Sequence, residues 1–207
     1  MEKTKIEKNT ILISGTPGTG THKSEISGTS SVILISGTPG TGKTEVAKII
    51  AKELEYEYCH IGDKEEYITE KTDVKIIDID KMNNWIKKES ENKKLVIDSH
   101  LSHYYPSELT KACIILRCDP AELKNRLKKR EYLEEKIMIN IEAEVINLIT
   151  QEAVRDGHNV YEIDTTTKTA SQTASDAINA IQKGLTKHGE IDYTYYIKNL
   201  KYTSKKQ

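Results

Sequence analysis

The stretch that most constrains this chain is Val32-Ile-Leu-Ile-Ser36 running directly into Gly37-Thr-Pro-Gly-Thr-Gly-Lys43-Thr44. Four apolar residues ahead of a serine read as a strand buried on both faces, as parallel strands are. Beyond the loop, Val46, Ile49, Ile50 and Leu54 recur at i, i+3, i+4 and i+8, the spacing of a helix with one apolar face. Strand, GxxxxGK[ST] loop and helix in that order make a cradle for phosphate. Gly37, Gly40 and Gly42 let the N–H groups of the loop, Thr41 included, turn inward, and the helix start adds its positive dipole end. Lys43 is placed for the β- and γ-phosphates of a nucleoside triphosphate and the Thr44 hydroxyl for Mg²⁺.

The same decapeptide occurs earlier. Ile11-Leu-Ile-Ser-Gly-Thr-Pro-Gly-Thr-Gly20 is identical to residues 33–42 at an offset of 22 residues. Two copies do not make a stacked-repeat protein, which needs three or more units. The first copy continues as Thr21-His22, so the lysine position holds threonine; Lys23 and Ser24 come two residues late and no amphipathic helix follows. It is expected to bind no nucleotide. Residues 21–31 are polar and turn-rich and read as a flexible linker. Residues 1–31 are thus expected to be a flexible extension.

Short apolar runs and helical segments alternate through the rest of the chain. The pattern predicts strands at Tyr56–His60, Leu95–Asp98, Ala112–Arg117 and Val160–Ile163. It predicts helices at Lys81–Lys88, at Pro120–Lys129, over a long stretch at Glu134–Ala153, and at Ala174–Lys183. Such alternation implies an α/β fold with a parallel sheet covered by helices on both faces. The tail, Glu190–Gln207, is rich in tyrosine and lysine and has no pattern that assigns it to an element. A net charge of −1 and a pI near 6.6 give no global basic field for nucleic acid or an anionic membrane. No apolar run reaches the length of a membrane span, and the charged N-terminus lacks a signal-peptide core, so a cytoplasmic location is expected. Cys59, Cys113 and Cys118 are odd in number and form no CxxC pair, which predicts buried thiols rather than disulfides or zinc ligands.

P-loop enzymes hold the metal's water shell with an acidic residue at the end of a neighbouring strand. Leu95-Val-Ile-Asp98 supplies that carboxylate. On an extended chain His100 would project to the same side as Asp98 and orient water or the terminal phosphate, or only bond locally. His60 and His103 carry no comparable signal and are assigned no role.

These residues, taken in order, resemble a known family. Ile-Ser-Gly-Thr-Pro-Gly-Thr-Gly-Lys-Thr is followed by Ile61-Gly62-Asp63, Val96-Ile97-Asp98-Ser99-His100, Tyr104-Tyr105-Pro106, Leu116-Arg117-Cys118-Asp119, Arg126 to Tyr132, and Asn140-Ile-Glu142-Ala-Glu144. This resembles the atypical adenylate kinases of small-ribosomal-subunit maturation, the adenylate kinase isoenzyme six type, over roughly residues 32–185. The resemblance implies a nucleoside monophosphate kinase fold of five parallel strands over residues 32–187, followed by a tail at 188–207. It implies a monophosphate-binding region at about 60–84 and a short lid at about 129–139. By position, Gly40, Gly42, Lys43 and Thr44 would hold phosphates and Mg²⁺. Glu45 would offer its backbone N–H, Arg130 would close on ATP, and Asp164–Thr167 would face the adenine edge. Broad-specificity conversion of ATP and AMP to ADP, accompanying ATP hydrolysis, and a ribosomal protein of the small-subunit platform as partner are implied with it.

Arginine occurs only at 117, 126, 130 and 155, none of them in the monophosphate region. Guanidinium grips phosphate at two points, so this scarcity predicts weak acceptor binding and a substantial ATPase. The competing readings are an assembly factor switched by ATP hydrolysis, and a kinase for another small acceptor such as shikimate or gluconate.

Overall fold

The computed structural model describes residues 10–14, 31–63, 68–71 and 74–200. Its frame is a five-stranded parallel sheet. β2 (Val32–Gly37) lies at the centre between β6 (Leu95–Asp98) and β7 (Thr110–Arg117); β3 (Glu57–His60) pairs outside β6, and β8 (Val160–Asp164) outside β7. All of β2 is buried because its alternate residues feed two cores. Ile33 and Ile35, with Val96, Ile114 and Leu116, pack against α1 (Lys43–Leu54) and α6 (Ala170–Lys183) through Val46, Ala47, Ile50, Ala174 and Ala177. Val32 and Leu34, with Leu95, Ile97, Cys113 and Ile115, face α2 (Ile79–Ser90) and α5 (Leu148–Arg155) through Met82, Ile86 and Ala153. Each such aliphatic contributes about 1.5–3 kcal/mol when fully buried, so the strand that delivers the glycine loop is firmly anchored from both faces. A third cluster joins Leu123 and Leu127 of α3 (Pro120–Lys129) to Ile137, Ile141 and Val145 of α4 (Glu134–Val145), the two helices that meet around the expected lid.

The long helix expected over Glu134–Ala153 is two helices. The chain breaks at Asn147, whose φ of 56° is left-handed, and the Asn147 side chain accepts a hydrogen bond from Arg117 at 2.5 Å. Asparagine tolerates this conformation, and the bond to a guanidinium fixes it. α6 starts four residues ahead of the expected Ala174, because Thr169 and Gln172 form a capping box.

The expected monophosphate region holds a second, smaller sheet that periodicity did not reveal. β5 (Val74–Asp78) pairs with β4 (Ile68–Lys71) antiparallel and with β1 (Thr10–Ser14) parallel, in the order β1-β5-β4. The apolar run of the first repeat copy is therefore an edge strand outside the five-stranded sheet. Its glycine loop and residues 21–30 lie outside the described residues. The tail is placed as far as Leu200, and residues 201–207 lie outside the described residues. Lys187 extends the edge of β8, donating to Val160 O at 2.9 Å and accepting from Glu162 N at 2.8 Å. Tyr193 is buried, and Tyr196 and Leu200, at the start and end of the segment containing α7 (Ile197–Leu200), pack on the cluster between α3 and α4.

Candidate active site

The loop from Gly37 to Gly42 sits at the carboxyl end of the sheet. At Gly37, φ is 137° and a Cβ would stand 2.4 Å from the Leu116 carbonyl oxygen, so β7 approaches too closely for any side chain. Gly40 (φ 95°) would bring a Cβ within 2.8 Å of Leu123, and Gly42 is the N-cap of α1. Inside the loop the Thr38 carbonyl gathers three donors: Lys43 Nζ at 3.0 Å, Thr41 Oγ1 at 2.9 Å and Thr41 N at 3.3 Å. Burial lowers the Lys43 pKa to about 8, against the pull of Asp98 and Glu144 and with a smaller push from Arg130. A phosphate bound in the cradle would favour the charged amine.

Asp98, at the end of β6, is fully buried beside the loop. Its Oδ2 accepts from Thr44 Oγ1 at 2.7 Å and Tyr58 OH at 3.1 Å, and lies 3.1 Å from His60 Nδ1. Burial pushes its pKa up, but the His60 hydrogen bond, the Lys43 charge and the Thr44 hydrogen bond together hold it below the usual 3.8. The other oxygen, Oδ1, is buried with no hydrogen-bond partner among the described residues. An ionised carboxylate oxygen left open next to a threonine hydroxyl fits a hydrated Mg²⁺, which takes one or two protein oxygens and completes its shell with water and substrate phosphates.

Two partners of Asp98 were not anticipated. Tyr58 and His60 sit two residues apart on β3, and His60 pairs in register with Asp98 itself. The legible signal was a pair of polar residues at period 2 on the strand beside the carboxylate. Gly62 belongs with them, since a Cβ there would lie 2.9 Å from His60 Nε2.

His100 is not on an extended chain. β6 stops at Asp98, and a turn follows in which Leu101 N donates to Ser99 Oγ at 3.0 Å. His100 still senses the site: burial, then the charges of Lys43, His103 and His60, push its pKa to about 3, so it is neutral at physiological pH. Arg130, the C-cap of α3, is exposed, yet near enough for its charge to act on Lys43. Glu45 is exposed in the first turn of α1. The Asp164–Thr167 loop touches the cradle, with Thr165 Oγ1 3.1 Å from Thr41 O. His103, assigned no role, is buried between Ser36 Oγ and Glu152 Oε2, each at 3.1 Å.

Residues 33–147 match the family model described as an AAA domain. Among curated relatives, a protein of Thermococcus kodakarensis named "Putative adenylate kinase" is 36% identical, covering 89% of this chain and 92% of its own length. Proteins of the same name from Pyrococcus furiosus, at 38% over 89% of this chain and 91% of their own length, and Methanosarcina acetivorans, at 40% over 80% and 82%, are similar. Two solved structures share the fold. The YorR protein of Bacillus subtilis in complex with phosphorylated GDP has a TM-score of 0.55 at 21% identity, covering 76% of this chain and 99% of that one. The deoxyadenosine kinase of M. mycoides with bound dATP has a TM-score of 0.51 at 16% identity, covering 73% and 99%. By the length and level of these matches, and by its five-stranded sheet and Gly37–Thr44 loop, this chain belongs to the P-loop family of nucleoside monophosphate kinase type that the archaeal relatives represent.

Proposed function

We propose that the protein is an adenylate kinase that converts ATP and AMP to two ADP with Mg²⁺, and that it also hydrolyses ATP. The observation that carries this reading is Thr44 of the glycine loop bonded to Asp98, whose other oxygen is unpaired among the described residues, next to a Lys43 that feels the Asp98 charge. Phosphoryl transfer needs little covalent chemistry from the protein; it needs position and compensation of charge on the transferred group. Lys43 supplies that charge from inside the loop. Thr44 and Asp98 would hold Mg²⁺, which when bound neutralises the charge growing between the phosphates.

The four arginines divide the labour. Arg117 is buried in ion pairs with Glu144 and Glu162; Arg126 is tied to Glu122 and to the carbonyls of Thr165 and Thr166; Arg155 pairs with Asp156. Arg130 has no ion pair among the described residues and would be the arginine that closes on ATP. With no guanidinium left for the acceptor phosphate, water competes with AMP, and the neutral His100 would orient it. This supports ATP hydrolysis as a companion activity.

The resemblance also brings a role in late maturation of the small ribosomal subunit, with a platform ribosomal protein as partner. Leu133 and Ile139 of the lid, 52% and 61% exposed, support a protein contact on that arm. The test is release of phosphate and formation of ADP, each with and without AMP, on the parent and on Lys43→Ala. Without AMP the parent should form ADP and free phosphate in equal amounts, with AMP it should form ADP in excess of free phosphate, and Lys43→Ala should lose about a hundred- to a thousandfold in both. Turnover of Lys43→Ala within threefold of the parent would remove the site assignment.

A further inference from the structure

The phosphate cradle is held from outside by a carboxylate of α4. The Thr38 hydroxyl donates to Glu144 Oε2, and both residues are 2% exposed. Glu144 lies near the end of α4. Its other oxygen accepts from Arg117 Nε at 2.6 Å and from Cys118 N at 3.1 Å, and its backbone carbonyl accepts from Arg117 Nη2 at 2.9 Å. Arg117 Nη1 reaches Glu162 Oε1 at 2.8 Å and Asn147 Oδ1 at 2.5 Å.

The tail completes the cluster. Gly189 N donates to Glu162 Oε2 at 2.6 Å, and the Tyr193 ring lies 5.2 Å from the Arg117 guanidinium carbon. Two buried carboxylates thus share one guanidinium, and the Glu144 charge also acts on Lys43, pulling its pKa upward.

Thr38 is a sensitive point for such a hold. Its carbonyl already carries Lys43 Nζ and both donors of Thr41, so its peptide sets where the loop's amine and part of its backbone lie. We propose that Glu144 is a positioning residue for the phosphate cradle: aligned by Arg117, it fixes the loop through the Thr38 hydroxyl, and the tail steadies that alignment through Gly189 and Tyr193. The inference rests on the nucleotide-binding reading of the loop. The competing account is a buried ion cluster that serves folding alone, a common state of affairs for buried pairs.

The experiment uses the full chain, with Mg²⁺ and ADP as the probe. Thr38→Val keeps the branched shape and removes only the hydroxyl; Thr38→Ser keeps the hydroxyl. The measurements are the ADP dissociation constant by titration calorimetry and Tm without nucleotide. A hydrogen bond to a charged group predicts about ten- to a hundredfold weaker ADP binding for Thr38→Val. Thr38→Ser should bind within about twofold of the parent. Some fall in Tm is expected for Thr38→Val in either account, because a buried carboxylate oxygen loses its donor, so affinity decides.

Tyr193→Leu should weaken ADP several-fold, and less so in the Thr38→Val background, because both act on one support. Thr38→Val binding ADP as the parent does, or Thr38→Ser weakened as much as Thr38→Val, would overturn the role of Glu144. Equal effects of Tyr193→Leu in both backgrounds would overturn the part given to the tail. A parent chain that does not bind ADP would instead bring down the nucleotide reading, and this inference with it.

Discussion

Replacing Asp98 by asparagine separates the catalytic from the structural work of this carboxylate. The side chain is fully buried and meets Thr44, Tyr58 and His60 through one oxygen. Hydrogen bonds to a charged acceptor contribute about 1.5–3 kcal/mol, neutral ones about 0.5–1.5, so a neutral amide weakens all three. Against that loss stands relief from burying a charge, the largest influence on the Asp98 pKa. The two largely cancel, leaving a net loss of about 1–2 kcal/mol, or about 2–8 °C in Tm for a domain of this size. Catalysis has no such offset. The open Oδ1 loses its charge where a metal's water shell belongs, and one missing preorganised contact costs about a hundred- to a thousandfold in rate, or about 2.7–4 kcal/mol. Initial rates of ADP formation across a Mg²⁺ titration, beside Tm by calorimetry, measure both. A variant within threefold of the parent at every Mg²⁺ concentration would refute the reasoning, and so would a rate loss fully explained by unfolding.

Three further outcomes follow from the same geometry. His100→Ala should lower ATP hydrolysis about a hundredfold and AMP phosphorylation much less, with the ATP dissociation constant nearly unchanged; equal losses in both rates would give His100 a shared or structural role. His158 is kept neutral by burial, with its Nε2 2.9 Å from the His103 carbonyl, and its pKa lies below the ordinary 6.5. Below pH 6.5 the unfolded chain therefore binds a proton that the folded one refuses, so stability is full above that pH and falls as the pH drops. His158→Gln should flatten Tm between pH 5 and 7, and an unchanged slope would exclude His158 as the source. Removing residues 1–30 should leave ATP hydrolysis within about twofold, since the five-stranded sheet takes no strand from them; a collapse of activity or Tm would mean that the first repeat copy supports the core.

The sequence carried the frame well because the frame is built from strong local signals. A run such as Val32–Ile35 has one stable environment, a strand covered on both sides, and α1 declares itself by its apolar spacing. Asp98 was legible for the same reason, as a carboxylate ending an apolar strand. What stayed hidden is what only tertiary contact supplies. The roles of His60 and Tyr58 depend on β3 pairing with β6 in a register that sets His60 opposite Asp98. The break at Asn147 depends on Arg117, 30 residues earlier in the chain. Glu144 sat in a segment with helical periodicity, and nothing local distinguishes a carboxylate aimed at Thr38 from one facing solvent. The tail had no periodicity because it is held by single anchors, Lys187 on the β8 edge and Tyr193 over Arg117, rather than by a regular face.

The central claim is that Lys43, Thr44 and Asp98 direct the terminal phosphate of ATP onto a nucleoside monophosphate. The direct test is ATP labelled in its γ-phosphate, mixed with Mg²⁺ and rising AMP, with the label followed into products. The account predicts label in the β-phosphate of ADP that grows with AMP at the expense of labelled free phosphate, both lost in Lys43→Ala. Label that appears only in free phosphate at every AMP concentration would contradict it.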